Sequence, residues 1–413
     1  MTENKIKPWI VLVLCCMVAS SSMGLLSNSV GVFYTPVSEA LGVMRGNFTL
    51  HITISSLVSA FMALIIAKVI VKYNFKPFIL GGAILACGST CLMGFCTQLW
   101  QFYVLGAIRG LGINFFSMIV LTMIINYWFV GKHGLATSLV MSFSGIAGAV
   151  GSPLITSAIS SIGWEKTYVV YGLVSFLLVL PAVIYPFKLN PRQEGLLPYG
   201  YVPPKEPVKV EHTNNIKPKE KSTFKLLTFS FMAFIIVVLC IIALTCMPQH
   251  FPGYAVALGF TTTLGASMLS ASMFGNISAK MVFGILSDKI GSFYTSVVIL
   301  AVNLCSLFIL LFVKAEAAMI IAAFLFGTIY SMGSVGIALL CKDFFGIENY
   351  NVTYPKVTFA IGISGAVFAS LIGYVYDFTG GYTAAILMLI AFHAIIFASL
   401  LFLSAQRKRG KIG

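Results

Sequence analysis

Two long stretches of nearly uncharged sequence, separated by one lysine- and proline-rich segment at 190–223, limit this chain more than any motif does. Hydrophobic residues make up 59% of the sequence and charged residues 9%, against about 25% charged in a soluble globular domain. A helix that crosses lipid needs about 20 apolar residues at about 1.5 Å each. The first stretch holds six such runs, at 8–32, 47–70, 77–97, 101–128, 134–161 and 166–187. The second holds six more, at 226–248, 261–286, 293–313, 317–341, 354–376 and 381–404. Runs this long exclude a membrane barrel, and helices satisfy their own backbone without water. The expected fold class is all-α and integral to the membrane: twelve transmembrane helices in two six-helix halves, 1–189 and 224–413, joined by the linker 190–223. The first run follows Lys5 and Lys7 but is too long for a signal peptide and lacks a small-x-small cleavage pattern, so it is read as retained.

The net charge of +14 is distributed by topology. With both termini on one side, 21 of the 26 Lys and Arg fall on that side; Arg45, Lys166 and Lys314 fall on the other. The positive-inside rule makes the richer side cytoplasmic and places the chain across a cell membrane. Basic residues spread over short loops fit anionic lipid headgroups and do not form a nucleic-acid patch. The nine cysteines contain no C-x-x-C pair and read as small apolar packers, so no metal is expected. No G-x-x-x-x-G-K-[ST] loop is present, so nucleotide is not the expected energy source, and no cofactor is expected.

The second and eighth runs end alike. Ala67-Lys68-Val69-Ile70-Val71-Lys72-Tyr73-Asn74 and Gly284-Ile285-Leu286-Ser287-Asp288-Lys289-Ile290-Gly291 occupy the same place in their halves. The second, read as Gly284-x-x-x-Asp288-Lys289-x-Gly291, resembles the loop motif of the major facilitator superfamily; in the first copy Val71 replaces the acid. Asn190-Pro191-Arg192-Gln193-Glu194-Gly195-Leu196-Leu197-Pro198, Tyr127-Trp128-Phe129 with Lys132-His133-Gly134-Leu135-Ala136, and Tyr376-Asp377-x-Thr379-Gly380 resemble the oxalate/formate antiporter and monocarboxylate-porter-like branch. The resemblance implies a monomeric secondary transporter, not an enzyme, with Gly284, Asp288, Lys289 and Gly291 serving a gating loop. It also implies exchange or symport of a small organic anion, most simply a monocarboxylate, by alternating access. A multidrug or neutral-metabolite exporter of the same fold, and a non-transporting membrane sensor, remain the alternatives.

Charge at membrane depth narrows the chemistry. All twelve acids map to loops or helix ends, whereas Arg109 and Lys280 lie inside apolar runs. Each costs roughly 2.5–3.5 kcal/mol there on insertion scales. With no fixed acid to pair them, an anion from solution is the expected counter-charge. Lys280, where the anion-carrying branch has arginine, reads as a substrate contact or as a lysine snorkelling to the headgroups. Arg109, in Ala107-Ile108-Arg109-Gly110-Leu111-Gly112, reads as a substrate contact or as a packing arginine bonded to backbone carbonyls. Asn276 lies one turn before Lys280 on the same face. It replaces an aspartate that carries the proton in related symporters, and asparagine cannot titrate. Asn28, Asn114 and Tyr330 read as cavity contacts or interhelical hydrogen bonds. His51 is a possible proton carrier, and His393 reads as packing. Gly145, Gly148 and Gly151 with Pro153 make one helix face flat enough for close contact.

Overall fold

The computed structural model describes residues 6–72, 75–201 and 229–409. Lys5, Tyr73 and Asn74 of the degraded loop, most of the segment 190–223 and Lys411 lie outside the described residues. The first crossing comprises α1 (Lys7–Ala19), a π-helical segment Ser20–Asn28, a 3-10 turn Val30–Phe33 and α2 (Tyr34–Leu41). Then come α3 (Arg45–Lys72), α4 (Phe75–Met93), α5 (Leu99–Ile113), a 3-10 turn Asn114–Phe116 and α6 (Met118–Trp128). α7 (His133–Ile184) closes the first half. The second half runs α8 (Phe229–Cys246), a 3-10 turn Met247–His250, α9 (Phe251–Ala257), α10 (Thr262–Ile290) and α11 (Ser292–Phe312). It ends with α12 (Glu316–Gly327), α13 (Ile329–Ser331), a π-helical segment Met332–Gly336, α14 (Ile337–Thr379) and α15 (Thr383–Lys408).

Ten of these segments are long and apolar enough to cross a membrane by length and composition. Two features raise the number of crossings to the expected twelve. Gly163, at φ 83°, folds α7 back on itself, a conformation that L side chains resist, and so makes two crossings of one element. α3, at 28 residues, is about 42 Å long and spans despite its run of Thr and Ser. Gly346, at φ 76°, similarly divides α14.

Buried side chains fall into two clusters. One is drawn from residues 11–187 with Leu269 and Met273, the other from 231–403. The two halves meet along α3 against α14 and α7 against α10. The glycine face foreseen on α7 is used at that seam: a Cβ on Gly145 would lie 2.5 Å from Ile277 Cγ1, and one on Gly148 3.3 Å from Met273 Cγ. Residues 190–201, the start of the linker expected at 190–223, pack on the first half. Glu194 pairs with Lys7 at 2.6 Å, and Tyr199 O accepts from Val130 N at 3.0 Å and Gly131 N at 2.8 Å. These residues mark the linker end of the molecule; the opposite end is the far end.

Candidate functional site

The chamber begins as a failure of the first helix. Ser20-Ser21-Ser22 and Ser27-Asn28-Ser29 are poor helix formers because their side chains compete for backbone groups. Ser22 Oγ donates to Val18 O at 3.0 Å, four residues back, whereas Ser27 Oγ donates to Ser22 O at 2.9 Å and Ser29 Oγ to Gly24 O at 3.3 Å, five back. The wider spacing accompanies the π turn. Carbonyls released from the ladder must find other donors away from water. Arg109 Nη2 donates to Leu26 O, and Tyr171 Oη adds a second bond to Leu25 O, which also accepts from Ser29 N at 3.2 Å. Gln249, from the second half, donates through Nε2 to Asn28 O at 3.0 Å and accepts from Gly31 N at 3.0 Å.

Three other crossings break at the same depth: at Asn114–Phe116, at Met247–His250 where Pro248 cannot donate to the ladder, and around Thr328 before α13. Each of the four breaks contributes a side chain to one cavity of about 360 Å³: Asn28, Asn114, Gln249 and Tyr330. Arg109, Tyr34, Thr245, His250 and a band of serines on the first half complete the wall. Among the described residues no carboxylate lines it. Arg109 is 4% exposed, and its Nε has no hydrogen-bond partner.

The structure therefore brings Arg109, Asn28, Asn114 and Tyr330 together, and leaves four further groups elsewhere. Lys280 and Asn276 are not in the cavity wall. At about 100° per residue, they fall between Met273 and Ile277, which face Gly148 and Gly145, and Ser272 and Gly275, which pack on α12. That direction is opposite the exposed Phe274, Met281 and Val282. Lys280 thus lies on the side of α10 between its contacts with α7 and α12, one to two turns nearer the linker end, and is partly exposed. Among the described residues it has no hydrogen bond or ion pair, and Asn276 Oδ1 is buried without a partner. His51 is fully buried against Phe48 and Phe102, at 4.6 and 6.1 Å between ring centroids, and is not among the residues that line the chamber. His393 is likewise buried, on α15. Gly284, Asp288, Lys289 and Gly291 form the linker-end turn of α10, where Asp288 and Lys289 are exposed and Gly291 takes φ 85°.

Hydrogen bonds between the halves, among the described residues, lie at the chamber's level or beyond it toward the far end. Asp377 accepts Arg45 N at 3.1 Å and Gly46 N at 2.7 Å, so a carboxylate of the second half caps the first turn of α3. The Arg45 guanidinium sits 4.1 Å over the Tyr376 ring and donates to Tyr382 Oη at 3.4 Å. Tyr374 Oη donates to Asn47 Oδ1 at 2.7 Å, and Thr53 Oγ1 to Ala366 O at 2.6 Å. The far end is sealed by this seam.

Tyr34, Gln249, His250 and the serine band were not foreseen. The available signal was the apolar sequence that resumes after the polar interruption in the seventh crossing, at Phe251–Ala257.

Four broken helices around a central polar chamber, in two packed bundles, define a multi-pass membrane carrier scaffold. The sequence model of the Major Facilitator Superfamily matches residues 11–369, and the chain belongs to that family. It is 22% identical over 340 residues to the sialic acid transporter NanX of Escherichia coli (strain K12), covering 79% of this chain and 77% of that one. It is 25% identical over 351 residues to the oxalate:formate antiporter of Oxalobacter formigenes, covering 84% and 76%. A crystal structure of a bacterial homolog to the human lysosomal transporter Spinster, inward-facing and occupied, superposes with a TM-score of 0.69 at 12% identity over 98% of each chain. Like these relatives, the chain is a transporter and not an enzyme.

Proposed function

We propose that the protein is a secondary active transporter that carries a small organic anion through the central chamber by alternating access. One observation carries the reading: Arg109 is buried in the chamber wall with Nε unpaired and no carboxylate among the described lining residues. A buried cation without a mate is costly, and a solute carboxylate offers two oxygens that match the guanidinium fork. Lys280, on α10 nearer the linker end, is the second charge that such a solute meets.

The basic residues concentrated at the linker end put that end in the cytoplasm, with both termini. The sealed far end then belongs to an inward-facing state. The halves 1–189 and 224–413 rock about the α3–α14 and α7–α10 seams, and the turn from Gly284 to Gly291 closes the cytoplasmic side in the opposite state. Among the described residues no carboxylate lines the chamber, and the histidine in its wall, His250, is engaged with Ala369 O at 3.2 Å, which favours exchange of one anion for another over proton symport. The relatives named above for sialic acid and for oxalate and formate are compatible with an acidic solute.

Counterflow in proteoliposomes tests this. Preloaded carboxylate should accelerate labelled carboxylate uptake without a pH gradient, and Arg109→Gln should abolish the saturable component. Competition by lipophilic cations, with no effect of carboxylates, would refute it.

A further inference from the structure

Exchange requires an empty carrier to stay shut on one side and a loaded one to be free to open. A solute shifts that equilibrium only by as much as its contacts differ between the two states. Some group must therefore touch both the cargo and the tie between the halves. Among the described residues, Gln249 is the side chain that both lines the chamber and hydrogen-bonds the opposite half. The other inter-half bonds come from Arg45, Thr53, Ser270, Tyr374 and Asp377, which lie outside the cavity wall.

Two helix breaks build the Gln249 contact. Pro248 interrupts the seventh crossing at Met247–His250, and the π segment of the first crossing ends at Asn28. Gln249 Nε2 donates to Asn28 O at 3.0 Å, and Oε1 accepts from Gly31 N at 3.0 Å. A carbonyl on one side and an N–H on the other fit the amide in one orientation only. The backbones touch as well: a Cβ on Gly31 would stand 2.1 Å from Gln249 O, so any side chain there would push the two turns apart. Two residues before Asn28, Leu26 O is held by Arg109 from the first half. One short segment is thus pinned beside the chamber's cation from its own half and by Gln249 from the other.

A primary amide has two N–H protons and two carbonyl lone pairs. The first crossing engages one of each, and the rest of the amide faces the chamber beside the Tyr330 hydroxyl. A solute seated at Arg109 can therefore meet the amide before the tie is broken. When the amide turns to the solute, bonds to the cargo replace those to Asn28 O and Gly31 N. The number of bonds is kept while the link between the halves is lost. We propose that Gln249 is the latch of the far end: it holds that end shut while the chamber is empty, and a solute that takes its amide releases it. This rests on the reading of the chamber as an anion-exchange site and adds the residue that couples its occupancy to opening.

Gln249→Met keeps the length of the side chain and removes both bonds. In solute-free lipid nanodiscs, losing two interhelical hydrogen bonds should speed amide exchange over residues 43–48 roughly tenfold. In proteoliposomes loaded with labelled lactate or oxalate, efflux into solute-free buffer should rise by a similar factor relative to exchange against the same anion outside, because the empty carrier now reorients. A side chain that merely supported the fold would lower the unfolding midpoint and leave that ratio alone. Gly31→Ala reaches the same contact from outside the cavity wall and should move both readouts in the same direction. Unchanged amide exchange over 43–48 in both variants, or an unchanged ratio of efflux to exchange, would overturn the latch. Faster amide exchange in the variants, with no counterflow of lactate or oxalate in the wild type, would uphold the latch and count against the anion reading.

Discussion

Asp377→Ala should loosen the far end by an amount that the geometry sets. The carboxylate accepts two backbone N–H groups, from Arg45 at 3.1 Å and Gly46 at 2.7 Å, at the start of α3. Removing a side-chain cap costs about 0.5–2 kcal/mol, and removing a negative charge from a helix N-terminus about 0.3–1 kcal/mol more. Asp377 is half-buried, so the middle of the combined range, about 2 kcal/mol, applies. The bonds join the two halves and exist only when the far end is shut, so the loss falls on that state alone. At about 1.4 kcal/mol per decade, the equilibrium between far-end-closed and far-end-open states should move roughly thirtyfold toward open. Hydrogen exchange in lipid nanodiscs reads this directly. Amides of Arg45 and Gly46 should exchange some thirtyfold faster in the variant, while peptides of α10 near Asp288 keep their rates or slow as the linker end closes. Asp377→Asn, which keeps one acceptor oxygen and loses the charge, should fall between. Unchanged exchange over residues 43–48 would show that the trans cap does not hold the seam, and the gating argument built on it would fail.

Lys280→Gln should raise the half-saturating concentration for anion uptake several-fold, and added salt should shrink the difference, because Lys280 meets the solute nearer the aqueous mouth. A salt-independent loss would place it in the bound complex instead. Tyr171→Phe removes one of the two bonds to the buried carbonyl of Leu25, which keeps Ser29 N at 3.2 Å, and should cost about 0.5–1.5 kcal/mol, read as a lower unfolding midpoint; an unchanged midpoint would mean that the π segment needs no such anchor. Arg109→Lys should retain part of the uptake that Arg109→Gln loses, since an ammonium supplies charge without the fork; full activity in Arg109→Gln would remove the guanidinium from the transport cycle.

The class of fold was legible because lipid leaves few choices. Runs of about 20 apolar residues can only be helices, and their number and the basic segment between them were visible directly. Asn28, Asn114 and Tyr330 were legible for a related reason: polar side chains at membrane depth are expensive and collect where helices face one another. The ends of the runs were not legible. The first was expected to stop at 32 and the seventh at 248, yet the chain continues in helical form to Leu41 and Ala257. Asn28-Ser29 and Pro248-Gln249 carry local signals for a helix end. The chain passes through the first because Tyr171, Arg109 and Gln249 supply hydrogen-bonding groups to it from distant elements. No local rule contains those partners.

The relative standing of the two intramembrane cations had the same origin. A charge census treats Lys280 and Arg109 alike, and spacing along the chain favoured Lys280. What separates them is where the first crossing breaks: the π segment brings Leu26 O within reach of Arg109 and fixes the guanidinium at the chamber wall. Lys280, on the unbroken helix α10, has no such tether. The first and seventh crossings hold equivalent places in the two halves, and both break at poor helix formers, Ser27-Asn28-Ser29 and Pro248. Regular structure gives way at the positions that build the chamber, as expected where function and regular structure compete. A continuous first helix would keep Leu26 O in its own ladder, and Arg109 would have no reason to sit where it does.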